Sequence, residues 1–265
     1  MRAGWLLWLA GLLVMAYLLF PVAVVIGVSF SSSSFLTFPP PGLSLQWYDK
    51  LLGDPDWLAS YGITAEVGLA TALLSTLLGV PAAFALSRAR LPGKAIIEAL
   101  LLAALVTPPI IRAISLYLFY VPLRLVDSVP GLVLAHTVTG IPYVVLNVMA
   151  GLRSYDRDLE RAAIIHGASP LGAVLRITLP AIAPGIAVGA IFAFLQSAQE
   201  LLVALFLLGT VEKPLAVRLW EGVRMSLQPI IAAASTTLIA IALAAFAAAT
   251  LIEWRGRRRR LAPVA

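Results

Sequence analysis

Six mostly apolar runs decide what this chain can fold into. They extend approximately from Trp5 to Phe30, Ile63 to Ser87, Ile96 to Val121, Pro130 to Ala150, Ile182 to Leu208 and Pro229 to Glu253. Each is long enough to cross a hydrocarbon core of roughly 30 Å, which takes about 20 helical residues. In lipid every backbone N–H and C=O must find a partner within the protein. The runs lack the period-two alternation of barrel strands, so all six are expected to be helices. With 61% of residues apolar and 12% charged, a water-soluble domain of this length would have too little polar surface. The expected class is an all-α membrane protein with six transmembrane helices in one domain, residues 1–265.

The first run follows Arg2, as a signal peptide would, yet it continues for about 25 residues, beyond an h-region of roughly 7–15. It ends in "SFSSSSF" with no small-x-small cleavage site, so an uncleaved helix is expected. There is no cysteine, which removes disulfides and thiolate metal sites.

Charge orients the bundle. If six helices alternate in direction, Arg2, the group Arg88, Arg90 and Lys94, the group Arg153, Arg157, Arg161 and Arg176, and the run Arg255 to Arg260 fall on one side. The positive-inside bias makes that side the cytoplasm, with both termini there. "RGRRRR" at Arg255 to Arg260 could neutralise nucleic-acid phosphates. Placed directly after a membrane helix, it reads instead as an anchor to anionic lipid headgroups, and no nucleic-acid partner is expected.

The longest cytoplasmic connection lies between the fourth and fifth runs and contains "ERAAIIHGASPLGAVLRITLP", Glu160 to Pro180. Ser169 followed by Pro170 is an N-cap with proline at the first helical position. Gly167 supplies a bend. Two short helices are expected, the first over roughly Asp156 to His166, presenting Ala162, Ala163, Ile164 and Ile165. Exposed apolar area flanked by charge marks a docking surface, and a short helix suits a partner's groove.

The spacing Arg161-Ala162-Ala163, Gly167, Ile177, Leu179-Pro180 resembles the cytoplasmic signature of bacterial ABC-importer permeases: E-A-A, three residues, G, nine residues, I, one residue, L-P. One letter departs: Arg161 stands where the family has glutamate, and Glu160 is one position earlier. "LSLQWYDKLL", "LSTLLGVPAAFALSRARLPGK", "GLVLAHTVTGIPYVVLNVMAGL" and "KPLAVRLWEGVRMSLQPIIAAASTTL" extend the resemblance to the second permease of the spermidine/putrescine transport family. It implies the type I ABC-importer permease fold. It also implies an ATPase-coupling segment within 151–180 carried by Glu160, Arg161, Ala162, Ala163, Gly167, Ala168, Ser169 and Pro170. The implied partners are a second permease chain, two ATP-binding subunits and an extracytoplasmic solute-binding protein. The implied cargo is a small polar organic solute, polyamine-like or zwitterionic or anionic, such as an aminophosphonate or opine.

No engine is legible on the chain itself. The one Gly-Lys pair, Gly93-Lys94, is followed by Ala95 and has Arg88 where a phosphate-cradling loop needs its first glycine. No nucleophile-and-base cluster or paired carboxylate suggests catalysis. His136 and His166 lie on different elements without convergent metal partners. No catalytic residue, metal site or cofactor is expected.

Polar groups at membrane depth usually face a bundle interior or a water-filled path. Gln196, Gln199 and Glu200 stand at i, i+3 and i+4 in the fifth run and are expected to share one helical face. Arg112 follows Pro108 and Pro109, which should break or bend the third run. His136, Thr137, Thr139 and Asn147 stand in the fourth, where interhelical hydrogen bonding is the alternative to lining a path. The sequence leaves open whether Glu200 pairs with Arg112 or meets water near the outer end of its helix. The polyamine branch carries an acidic residue after the helix-three proline and a second one in helix five; Pro109 and Gln199 occupy those places here. Two negative charges are exchanged for neutral groups and Arg112 adds a positive one, which disfavours a polycation. An ion-coupled secondary transporter is the rival class. It calls for inverted repeats, which the halves do not show.

Overall fold

The computed structural model describes residues 3–208 and 212–261. Arg2 lies outside them, as do the side chains of Arg255 to Arg260. The regular elements of the described residues are helices, with one isolated antiparallel bridge, Ser31 to Leu43. In chain order the elements are α1 (Ala3–Ser29), α2 (Gln46–Gly53), α3 (Pro55–Arg88), α4 (Lys94–Val106), α5 (Pro109–Tyr120), α6 (Val129–Arg153), α7 (Asp158–Ile165), α8 (Pro170–Ala173), α9 (Leu179–Gln199), α10 (Leu202–Leu207), α11 (Leu215–Met225) and α12 (Pro229–Leu261). A π-helical turn, Val174–Thr178, joins α8 to α9.

Five helical stretches are long and apolar enough to span a membrane: Trp8–Ser29, Pro55–Arg88, Val129–Arg153, Pro170–Gln199 and Pro229–Ile252. The sixth is α4 with α5, broken at Thr107 and Pro108 and bent by 102°. The third run is thus not one straight helix. Pro108 has no N–H for the ladder, and its ring forces Thr107 out of the helical region, to ψ 127°. Pro109 then restarts the helix at its first position, where a missing N–H costs nothing.

The fifth run departs from expectation at both ends. Its helix ends at Gln199, and Glu200 is extended at ψ 108° before α10 begins. Glu200 therefore does not continue the helical face of Gln196 and Gln199. At the other end, α8 is not a separate short helix, because the π turn carries it into α9 as one stretch from Pro170 to Gln199. Pro180 explains the turn: lacking an N–H and crowding the carbonyl four residues back, it fits beside a locally widened helix.

By chain contacts the protein divides into two compact units. The first comprises Met1–Ser60 and Val217–Ala242. In it Trp47 is buried and donates its indole N–H to Ser31 O at 2.8 Å, and Arg218 pairs with Asp56 at 2.8 Å. The α1 helix leaves Leu12, Tyr17 and Phe20 exposed, as a lipid-facing helix would.

The second unit comprises Tyr61–Ala216 and Leu243–Ala265. Its centre is α6, the most buried span, packed on α9. Small residues set that distance: a Cβ on Gly189 would lie 2.9 Å from Val144 Cα, so only glycine admits this approach. Val144, Val148 and Ile182 fill the interface. His136 is buried in it, its Nδ1 2.8 Å from Ser197 Oγ, which in turn lies 3.5 Å from Thr71 Oγ1. Such bonds hold helices together where lipid offers no hydrophobic drive.

Candidate functional sites: a loop knob and a cavity

The loop between α6 and α9 is built from local rules. The α7 helix ends in a Schellman arrangement: Gly167 N donates to Ile164 O and Ala168 N to Ala163 O, each at 3.0 Å. Gly167 holds φ at +94°, a conformation that side chains resist. Ser169 Oγ then accepts from Gly172 N at 3.0 Å and Pro170 starts α8. The first helix is shorter than expected, beginning at Asp158 rather than Asp156.

Glu160 and Arg161 point to different fates. Glu160 turns inward, where Oε1 and Oε2 accept from Arg88 Nη1 and Nη2 at 2.9 and 2.7 Å. Thr178 Oγ1 donates to Oε2 at 2.6 Å, and the Tyr155 hydroxyl lies 3.4 Å from the same Thr178 oxygen. Arg88 also lies over the Phe84 ring, 4.7 Å from its centroid. Partial burial pulls the Glu160 carboxyl upward, but the hydrogen bonds from Arg88 and Thr178, with the Arg88 and Arg157 charges, outweigh it and hold the carboxyl below its ordinary range. Arg161 points outward, paired with Asp158 at 2.9 Å. Ala162 is exposed, Ala163 and Ala168 are half-buried, and Gly167, Ser169 and Pro170 are exposed. Ile165 and Leu171, at 83% and 67% exposure, project from the knob with none of the described residues covering them.

Arg112, Gln196, Gln199 and Glu200 meet at one cavity of about 510 Å³, with Tyr143 and Phe192 among its other walls. Those two rings stack at 6.3 Å and 14°. Arg112 Nη2 donates to Glu200 Oε2 at 2.7 Å, so the two residues pair. Each also repairs a helix break. The Ala104 carbonyl would normally accept from residue 108, a proline, and Arg112 Nη1 fills the gap at 3.2 Å. Glu200 Oε1 accepts from Val203 N at 3.3 Å, satisfying an orphan donor in the first turn of α10. Gln196 Nε2 lies 3.4 Å from Glu200 Oε2, and its buried Oε1 has no partner among the described residues. Of the fourth-run residues, Thr139 lines the cavity, Thr137 bonds Val133 O, and Asn147 donates to Tyr143 O at 2.8 Å within its own helix. His136 is not among the lining residues; it serves the α6 to α9 interface.

Sequence reasoning treated Arg88 only as a topology charge and passed over Thr178, Tyr143 and Phe192. Arg88 and Glu160 stand 72 residues apart, and no local pattern joins them. The aromatic pair carried only a weak signal, since rings in apolar runs are ordinarily core.

Residues 75–258 match the family described as Binding-protein-dependent transport system inner membrane component. The chain is 29% identical over 237 residues to the spermidine/putrescine transport system permease protein PotC of Escherichia coli strain K12, covering 89% of each chain. It is 32% identical over 258 residues to the putrescine transport system permease protein PotI of the same strain, covering 94% of this chain and 91% of PotI. Among solved structures it is similar to a bacterial ABC transporter involved in the import of the acidic polysaccharide alginate, with a TM-score of 0.72, 18% identity, and coverage of 94% of this chain and 97% of that one. The fold is thus the type I ABC-importer permease fold that the resemblance implies. The chain belongs to the family of binding-protein-dependent transport system inner membrane components, as a multi-pass permease subunit of an ABC importer and not its catalytic subunit.

Proposed function

We propose that this permease forms half of a translocation path with a second permease chain, and that its α7–α8 knob couples the path to two separate ATP-binding subunits on the cytoplasmic face. An extracytoplasmic solute-binding protein delivers a small polar organic solute, and both termini are cytoplasmic. One observation carries the reading. The knob exposes Ile165 and Leu171, is clamped at its base through Glu160, and runs without interruption from Pro170 along α9 to Gln196 and Gln199 at the cavity. A push on the knob therefore reaches the cavity along one helical rod, a physical route for coupling. ATP hydrolysis and any cofactor it needs belong to the partner subunits.

The relatives PotC and PotI are named for spermidine and putrescine, and by descent they favour a polyamine here. Within the cavity the ionised lining groups are one arginine and one glutamate, which does not suit a polycation. The test is uptake by proteoliposomes carrying the complete complex. Import should require hydrolysable ATP, and a cysteine at Ile165 should crosslink to the ATPase. Uptake driven by an ion gradient without ATP would favour a secondary transporter instead.

A further inference from the structure

We infer that the Arg112–Glu200 pair is an exchangeable gate, and that the solute that exchanges with it is a zwitterion carrying one terminal amine and one terminal acid group. The inference rests on the permease reading above and adds the solute class and the event that admits it.

The cavity walls hold one fixed cation and one carboxylate, mated at 2.7 Å, with side chains 12% and 10% exposed. The guanidinium is always protonated and presents donors that match a carboxylate or phosphonate. A solute with an acid at one end and an ammonium at the other can slide between the two: acid to Arg112, ammonium to Glu200. One ion pair becomes two, and no charge is left uncompensated. An anion that captured Arg112 would fill the volume open to water and leave Glu200 facing a second negative charge with no cation of its own, which is strongly unfavourable. A dication would bring two positive charges to one carboxylate beside a permanent cation.

Two further features fit the same guest. Gln196 Oε1 is buried beside Glu200 without a partner among the described residues, an acceptor for an ammonium proton. The stacked Tyr143 and Phe192 rings, with Leu105, give a short methylene chain an apolar wall.

Exchange also loosens the protein where it is already broken. Arg112 bridges α5 to the last turn of α4, and Glu200 forms the hinge between α9 and α10. Their mutual bond ties the two discontinuities together. A zwitterion that replaces it unties them, so entry of the solute and release of the gate are one event.

A matched series of four-carbon probes tests this on the purified permease–ATPase complex without the binding protein: 1,4-diaminobutane, 4-aminobutanoate and succinate. They share a chain length and differ in end charge. The readout is the ligand-dependent rise in unfolding temperature. The expected result is a rise with 4-aminobutanoate at concentrations at least about tenfold below those the other two need, a tenfold preference being about 1.4 kcal/mol. Arg112→Gln and Glu200→Gln should each lose that preference. Diaminobutane or succinate acting at the lower concentration, or none of the three acting, would overturn the inference, and these outcomes need only the parent protein. The permease reading is judged apart, by the Ile165 crosslink to the ATPase and by ATP-dependent uptake of whichever solute the complex takes.

Discussion

The Arg88–Glu160 and Arg112–Glu200 pairs share one chemistry, and their surroundings differ. Arg88 and Glu160 close at 2.7 Å with side chains 18% and 13% exposed; Arg112 and Glu200 close at 2.7 Å with 12% and 10%. The first is a two-pronged bond reinforced by Thr178, and Arg88 also has Phe84 beneath it. Both carboxylate oxygens of Glu160 are engaged by side-chain donors. The second is single-pronged: Gln196 Nε2 lies 3.4 Å from the same Glu200 oxygen, the other contacts go to backbone atoms at helix breaks, and the pair faces a cavity of about 510 Å³ beside an amide oxygen with no partner among the described residues. A two-pronged pair reinforced by a third side chain is a strut. A single-pronged pair on open volume can be traded for a ligand.

The largest effect should come from breaking the strut. Glu160→Ala leaves Arg88 partly buried without its carboxylate, a loss of about 3 kcal/mol by the usual cost of stranding one member of such a pair. Thermal unfolding of the purified complex should show it. Replacing both residues together, as Arg88→Met with Glu160→Leu, should recover most of the loss, because neither charge is left behind and Thr178 Oγ1 keeps the Tyr155 hydroxyl as a partner. Acid should act in the same direction. The Glu160 carboxyl is held below its ordinary range, so its stabilising contribution is complete above the unfolded value and disappears as pH falls through the lower folded one. Glu160→Gln should flatten that acid-side decline. An unchanged acid profile would show that the pair contributes little.

Next comes the bend that carries the knob. Gly167 at φ +94° has open space around its missing Cβ, so the penalty of Gly167→Val is conformational rather than steric. A β-branched residue there should cost about 1–2 kcal/mol, with ATP-driven uptake falling while membrane insertion survives. Gly167→Asn, which tolerates positive φ better, should retain more uptake. Equal uptake in both variants and the parent would detach the bend from coupling.

Arg112→Gln should destabilise less than Glu160→Ala. It gives up one charge-assisted bond and the patch on Ala104 O, but the cavity lets water reach the abandoned Glu200 carboxylate. A loss of about 1–2 kcal/mol is expected, in the range of hydrogen bonds to charged groups. A loss as large as that from Glu160→Ala would make this pair a second strut.

What the sequence made legible follows the same division. The six spans, the proline break before Arg112, the glycine bend and the Ser169-Pro170 cap each rest on residue types whose backbone preferences act locally. The break at Glu200 does not. "QELLVAL" contains neither glycine nor proline and reads as uninterrupted helix. The helix ends there where Glu200 is held by Arg112, 88 residues earlier, and by Val203 N. The inward turn of Glu160 likewise depends on Arg88. The π turn was missed because its cause, Pro180, lies just beyond it and reads locally as a helix start. Long-range ion pairs decided both of the sites that matter, and one sequence does not reveal its pairings.

The smallest effect on stability should come from the residue that departs most visibly from the loop signature. Arg161 stands where the family has glutamate, and the strut explains how the fold tolerates it: the carboxylate beneath the knob is Glu160, one position earlier and turned inward. Arg161 is 71% exposed and its pair with Asp158, three residues back on the same helix, is a surface contact. Exposed helix pairs contribute roughly 0.3–0.5 kcal/mol, so Arg161→Ala should leave the unfolding temperature of the complex almost unchanged. Its consequence, if the knob docks as proposed, falls on the partner. A guanidinium beside Ile165 favours an acidic or neutral groove on the ATPase, and Arg161→Glu reverses the sign it meets. Detergent-solubilised complexes of Arg161→Glu should hold the ATPase less well than the parent at low salt, with the gap narrowing as salt rises, since an exposed charge contact is screened within about 10 Å at 0.1 M salt. Identical salt profiles would show that the ATPase does not read this position, and a fall in unfolding temperature as large as that of Glu160→Ala would show that the knob turns Arg161 inward.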